Sequence, residues 1–213
     1  MHTNNSKRNN ANYDVPIMSK PNTKLDILFY GLNRNVIALI LFVLLVSFSS
    51  GFINLIYQLY FKSIGYSAFS IGIFSTVIGV TASILFIPSG VLADIFNRKI
   101  IIIIGSLILC TGQALIFIYM NYTVQLIAMF FIGLGNAFIS SAGGAFMTDI
   151  LDEKLYDKGF SFLSSAQVLA ITIAGIMGWF PVYLNKNFNY SEADSYKISG
   201  LIMSVIGFTS VLF

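Results

Sequence analysis

The chain has 213 residues, 56% of them hydrophobic and only 10% charged, with a net charge of +3 and a mean hydropathy of +0.81. Soluble domains carry roughly 25% charged residues, so composition alone points to a membrane protein. The bases form no clustered stripe, which argues against a nucleic-acid partner. With one cysteine, Cys110, and one histidine, His2 in the tail, the chain has no parts for an intrachain disulfide, a cysteine metal cluster, a histidine zinc site or a catalytic triad. No metal and no cofactor is expected.

Residues 1–35 form a polar, Asn-rich tail whose start has too little apolar side chain to offset ordering entropy. The tail is expected to be partly disordered, with 24–35 either a lead-in to the first span or a short helix on the membrane surface. No secretory signal peptide is expected, because the first apolar run starts late and is too long. Beyond the tail, the charges mark out the spans. Residues 35–61 and 63–93 carry none, and neither do 100–148. The last of these runs is too long for one helix, since about 20 residues cross the hydrocarbon core, and "YMNYT" (119–123) supplies a turn at Asn121. A charged loop, "DILDEKLYDKG" (149–159), precedes the uncharged run 159–185. A second polar loop, "KNFNYSEADSYK" (186–197), precedes the last run, 198–213.

Six transmembrane helices are therefore predicted near 36–60, 68–93, 99–120, 123–148, 160–184 and 198–213. Strands are excluded because apolar and polar residues do not alternate. Sixteen residues in the last span reach about 24 Å, less than the roughly 30 Å core, so the sixth helix is expected to be truncated. Placing the N-terminus in the cytoplasm puts Lys7, Arg8, Lys20, Lys24, Arg34, Arg98, Lys99, Lys154 and Lys158 inside. Only Lys62, Lys186 and Lys197 then lie outside. That bias predicts a multi-pass protein of the cell membrane with a cytoplasmic N-terminus and the lipid bilayer as its surroundings.

The segment "PSGVLADIFNRKI" (88–100) places one acid and two bases between two greasy runs. Basic residues suit a cytoplasmic loop. Asp94 does not fit so simply, because a helix C-terminus disfavours an anion. An acid there calls for a specific partner.

"GVLADIFNRK" (90–99) resembles the loop signature of the major facilitator superfamily, roughly G-x-L-A-D-R-F-G-R-K, between its second and third helices. Gly90, Leu92, Ala93, Asp94, Phe96, Arg98 and Lys99 match. Ile95 stands where an Arg is usual, and Asn97 where a Gly is usual. "YFKSIGYSAFSIGIFSTVIG" (60–79), "FIGLGNAFISSAGGAFMTDI" (131–150) and "DEKLYDKGFSFLSSAQ" (152–167) are similar to neighbouring family segments. The resemblance covers about 36–213, the N-terminal six-helix half of a twelve-helix transporter. It implies an all-α membrane bundle of two three-helix inverted repeats, and secondary transport of a small organic solute by rocker-switch alternating access. It also implies a conformational latch of Asp94, Arg98 and Asp149, with Lys99 beside it and Gly90 permitting close helix approach. The latch's partner helix would belong to a second six-helix half, covalent or recruited by dimerisation.

In such folds the substrate lies near the midplane between the halves. Asn54 and Gln58 share one face of span one, Asn136 and Ser140 one face of span four, and Gln167 lies in span five. Each is a candidate for substrate contact, and each has an alternative use as a hydrogen-bonding bridge between helices. Ser141, Gly143, Gly144, Gly175 and Gly178 read as helix-packing residues. No ionisable residue lies at mid-depth in any span, so no proton-coupling group is expected here. Drug–proton antiporters of the family usually carry an Arg where alignment on Gly133 puts Met129, and a G-x-x-x-G-P spacing that "AGIMGWFP" (174–181) lacks. A neutral or amphipathic solute suits this lining better than a strongly charged one.

Two other readings stand beside the transporter. One is a six-helix remnant or half-transporter subunit without activity of its own. The other is an intramembrane enzyme, which would need a nucleophile–base pair or metal ligands within the spans. The chain offers no H-E-x-x-H or G-x-S-x-G run and no catalytic residue is nominated.

Overall fold

The computed structural model describes residues 34–151 and 153–212. The expectations for the tail up to residue 33 lie outside them. The described residues are helical throughout, in the order α1 (Arg34–Ser63), α2 (Ala68–Ile95), α3 (Arg98–Ile118), α4 (Tyr122–Ile150), α5 (Tyr156–Ile176), α6 (Phe180–Phe188) and α7 (Glu192–Thr209). Short 3-10 turns precede α5, join α5 to α6 and follow α7. Six of the resulting stretches are long and apolar enough to cross a membrane, with α5 and α6 counting as one. Backbone groups in hydrocarbon must be bonded within their own segment, and that leaves helices as the solution for uncharged runs of this length.

The breaks are chemically explicit. Gly65, at φ +91°, makes the turn after α1, and Ser67 then caps α2 by accepting from Ser70 N–H at 3.2 Å. Asn97 caps α3 by accepting from Lys99 N–H at 2.9 Å, and Asn121 caps α4 by accepting from Thr123 N–H at 2.9 Å. The turn expected at Asn121 is therefore present, and short polar side chains that satisfy orphan N–H groups explain these boundaries.

Two predicted boundaries are corrected. The fifth span runs from Glu153 to Phe188, with a 3-10 break at Met177–Trp179, instead of ending near 184. The sixth span starts at Glu192 and runs to Leu212 as 21 residues, about 31 Å of helix. That length crosses the core, so the expected shortfall is not found among the described residues. The cause is a helix start misread as a loop. Ser191 Oγ accepts from Asp194 N–H at 3.1 Å, and Glu192 and Asp194 in the first turn favour the positive end of the helix. The predicted loop 186–197 shrinks to Asn189–Ser191, with Asn189 in the left-handed region at φ 55°.

Packing sorts the helices into two groups. α1 packs on α5 and α7, α4 packs on α2 and α3, and α3 also meets α7. α1 and α4 barely touch. The α3–α4 seam is tight because its crossing points are glycines. A Cβ at Gly135 would stand 2.6 Å from the Gly105 carbonyl oxygen, and one at Gly105 would stand 2.7 Å from Phe138 Cβ. Such close approach is how helices associate in lipid, where no hydrophobic drive exists between them. At one end of the bundle an aromatic cluster of Phe61, Tyr66, Phe74 and Tyr122 joins α1, α2 and α4, and Tyr66 O–H donates to the Met120 carbonyl at 3.0 Å.

Candidate functional site

The charged cluster lies at the opposite end, where α2 stops, α3 starts and α4 stops. Arg98, in the first turn of α3, reaches both neighbours. One guanidinium nitrogen donates to Asp94 Oδ1 at 2.9 Å, and the other donates to Asp149 Oδ1 at 2.8 Å and to the Ala145 carbonyl at 3.0 Å. The α4 contacts reach a carbonyl one turn before the helix's last as well as a carboxylate, and the planar fork of Arg suits such a shared task. Asp94 and Asp149, both exposed, are held by one cation. The expected group of Asp94, Arg98 and Asp149 is thus together in space. Lys99 is not part of it. One residue further on, it points about 100° round the helix and lines a different cavity with α1 residues. Gly90 faces open space, with nothing within 4 Å of a Cβ built there, so it approaches no other helix of the described chain.

The polar candidates divide by depth rather than by helix face. Asn54 of α1 and Asn136 of α4 meet in a small cavity of about 30 Å³ with Ser50, Tyr57, Gln113 and Met129. That volume suits a water or two rather than a solute. Ser140 of α4 and Gln167 of α5 line a larger cavity of about 250 Å³ with Ser47, Gly143 and Gly144. Gln58 lines neither cavity; its amide donates to Tyr57 O–H at 3.2 Å, and the Tyr57 and Ser75 hydroxyls are bonded at 2.9 Å, linking α1 to α2. Both cavities lie in the groove that α1 and α4 leave between them, walled by residues of both helices. Asn54, Gln58, Ser140 and Gln167 are exposed.

Gln113 escaped the sequence reading. It is buried, donates to Ser50 Oγ at 2.8 Å, and has Ser49 Oγ at 3.5 Å from its amide oxygen. Ser49 Oγ in turn donates to the Met203 carbonyl at 2.7 Å, so a polar chain ties α3, α1 and α7 together inside the bundle. The available signal was an amide within an apolar span. Its neighbours are small and apolar, and the partners on α1 cannot be read from spacing. Met129 is fully buried on the wall of the small cavity, so a sulfur stands there and not a cation.

The glycine expectations need correction. Gly143, Gly144, Gly175 and Gly178 have nothing within 4 Å of a built Cβ and make no helix crossing among the described residues. Gly105, Gly112, Gly133 and Gly135 make crossings of α4 with α2 and α3, and Gly51, Gly200 and Gly207 make others. Among the described residues no three His, Cys, Asp or Glu side chains gather as a metal site.

Comparison with known proteins agrees with this arrangement. The Quinolone resistance protein NorA of Staphylococcus aureus is 19% identical over 175 residues, which cover 82% of this chain and 45% of that protein. The Uncharacterized transporter BU466 of Buchnera aphidicola is 30% identical over 114 residues, covering 54% of this chain and 29% of it. The chain spans less than half the length of these relatives. The sequence model of the Major Facilitator Superfamily matches residues 39–178, which take in α2, α3, α4 and the whole Arg98 cluster. The second of these relatives is named a transporter, and the chain belongs to the Major Facilitator Superfamily.

Proposed function

We propose that the chain forms the N-terminal half of a secondary transporter that moves a small organic solute by alternating access. The observation that carries this reading is the Arg98 cluster, which gathers the ends of α2, α3 and α4 at one membrane face. Charge groups at that place can hold one of two bundle arrangements, and their rearrangement biases a two-state equilibrium. The lysine and arginine bias supports a cytoplasmic position for this face, and we take the membrane to be the cell membrane. Helix partners are exchanged between α1 and α4, α1 packing on α5 and α7 and α4 on α2 and α3. That exchange supports a pair of three-helix repeats.

The groove between α1 and α4 is one wall of the solute path. Its exposed amides, Asn54, Gln58 and Gln167, are costly against lipid, and a second six-helix body facing them removes that cost. The open glycines Gly143, Gly144, Gly175 and Gly178 leave room for its close approach. This second body is a further segment of a longer chain or a second copy. If neither is present, the molecule is a half-transporter subunit without flux of its own. The lining is neutral, so an amphipathic or neutral solute fits it. NorA is named for quinolone resistance, and a quinolone belongs in the first panel of compounds.

The test is flux of such a panel in vesicles carrying the protein, with its second half supplied, for wild type and Asp94→Asn. Flux that falls several-fold while membrane insertion is kept supports the latch. Unchanged flux in the variant rejects it.

A further inference from the structure

A cavity of about 170 Å³ lies beside the start of α3, between the early turns of α1 and α3, Phe146 of α4 and the last turn of the sixth span. Its walls are Ala38, Leu39, Phe42, Ile102 and Ile103, and its helix-end residues are Asn35, Asn97 and Lys99. Asp94 and Asp149 are both bonded to Arg98, and the Lys99 ammonium makes no ion pair among the described residues. Asn97 spends its amide oxygen on capping α3, which leaves its NH2 as a free donor beside Lys99. Asn97 also stands where the loop signature usually has Gly, so this donor is a feature of this chain. Ile95, Phe96 and Ile100 are exposed around the same turn, 70%, 58% and 51% accessible. Exposed apolar side chains at the end of a membrane span sit at the boundary of headgroups and acyl chains.

We propose that this cavity holds an anionic glycerophospholipid. Its phosphate meets Lys99 and the amides of Asn97 and Asn35, and the start of one acyl chain enters the cleft of Ala38, Leu39, Phe42, Ile102 and Ile103. Charge complementarity selects the occupant: a single unpaired cation with two amide donors above apolar walls matches a phosphate on a hydrocarbon tail. Basic pockets between membrane helices recognise anionic headgroups in this way. The inference rests on the chain spanning a membrane and is independent of transport.

Native mass spectrometry of the full chain in detergent tests it, with phosphatidylglycerol, phosphatidylcholine and inorganic phosphate as probes. Phosphatidylglycerol is expected to be retained in preference to phosphatidylcholine. Lys99→Gln is expected to weaken its retention about fivefold, the worth of one lysine beside an anionic headgroup. Lys99→Arg keeps it, and Lys62→Gln at the other end of the bundle leaves it unchanged. Ala38→Phe fills the cleft without touching the charge and also lowers retention. Equal retention of the two lipids overturns the proposal, as does an unchanged affinity in Lys99→Gln. Inorganic phosphate competing as well as phosphatidylglycerol, or full retention in Ala38→Phe, overturns the lipid assignment.

Discussion

The α3–α4 seam and the α1–α4 groove are built from the same small residues and come out opposite. In the seam, Gly105, Gly112 and Gly135 admit backbone and side chains to within about 3 Å of where a Cβ would be, and Gly133 does the same against α2. In the groove and on α5, Gly143, Gly144, Gly175 and Gly178 meet nothing. The polar residues divide likewise. Gln113 is buried and bonded across helices, whereas Asn54, Ser140 and Gln167 are exposed on an open face. One side of the bundle is packed within the chain, and the other leaves small and polar groups open. Small residues in membrane helices therefore mark close approach, but the partner is decided by three-dimensional placement.

The sharpest way to break this comparison is a bulky residue in the seam. Gly135→Val would push a side chain into the Gly105 carbonyl and the Leu109 backbone, contacts at 2.6 and 2.7 Å that cannot yield cheaply. Overpacking of this kind costs about 1–3 kcal/mol or more, and thermal unfolding in detergent reads it directly. A wild-type melting curve for that variant would mean the helices are further apart than described here.

Gln113→Leu tests the buried polar chain. It removes the bond to Ser50 while keeping volume, and the expected loss is about 0.5–2 kcal/mol, since interhelical hydrogen bonds in membranes are individually modest. Removing the Arg98 cluster is expected to cost less still. Its acids are 68% and 52% exposed, and exposed ion pairs contribute about 0–1 kcal/mol. Arg98→Ala should therefore barely shift the melting temperature while altering flux in the two-half protein. A large loss of stability with normal flux would make the cluster a staple and not a latch.

The smallest effect belongs to the open side. Gly144→Ala has space for its methyl group and should change the stability of this chain by no more than about 0.5 kcal/mol. Association with a second six-helix body, measured by cross-linking in vesicles, should weaken. If both quantities are unchanged, Gly144 lies on a lipid-facing surface and the groove is not an interface.

The sequence alone determined the number of helices, because uncharged runs in a chain this apolar admit no other spanning structure. It also determined most helix starts, because Asn97 and Asn121 satisfy specific backbone N–H groups. Asp94 in an unfavourable place foretold a partner, and Arg98 supplies it. Tertiary structure decided the rest. Spacing along a helix fixes which residues share a face, not what that face meets, so packing glycines and open ones look alike in the sequence. Polar residues at a capped helix start also look like loop, and for that reason the sixth span read as five residues shorter than it is. The sharing of one cavity by Asn54 and Asn136 and the buried bonds of Gln113 depend on how separate helices cross. No local pattern carries that information.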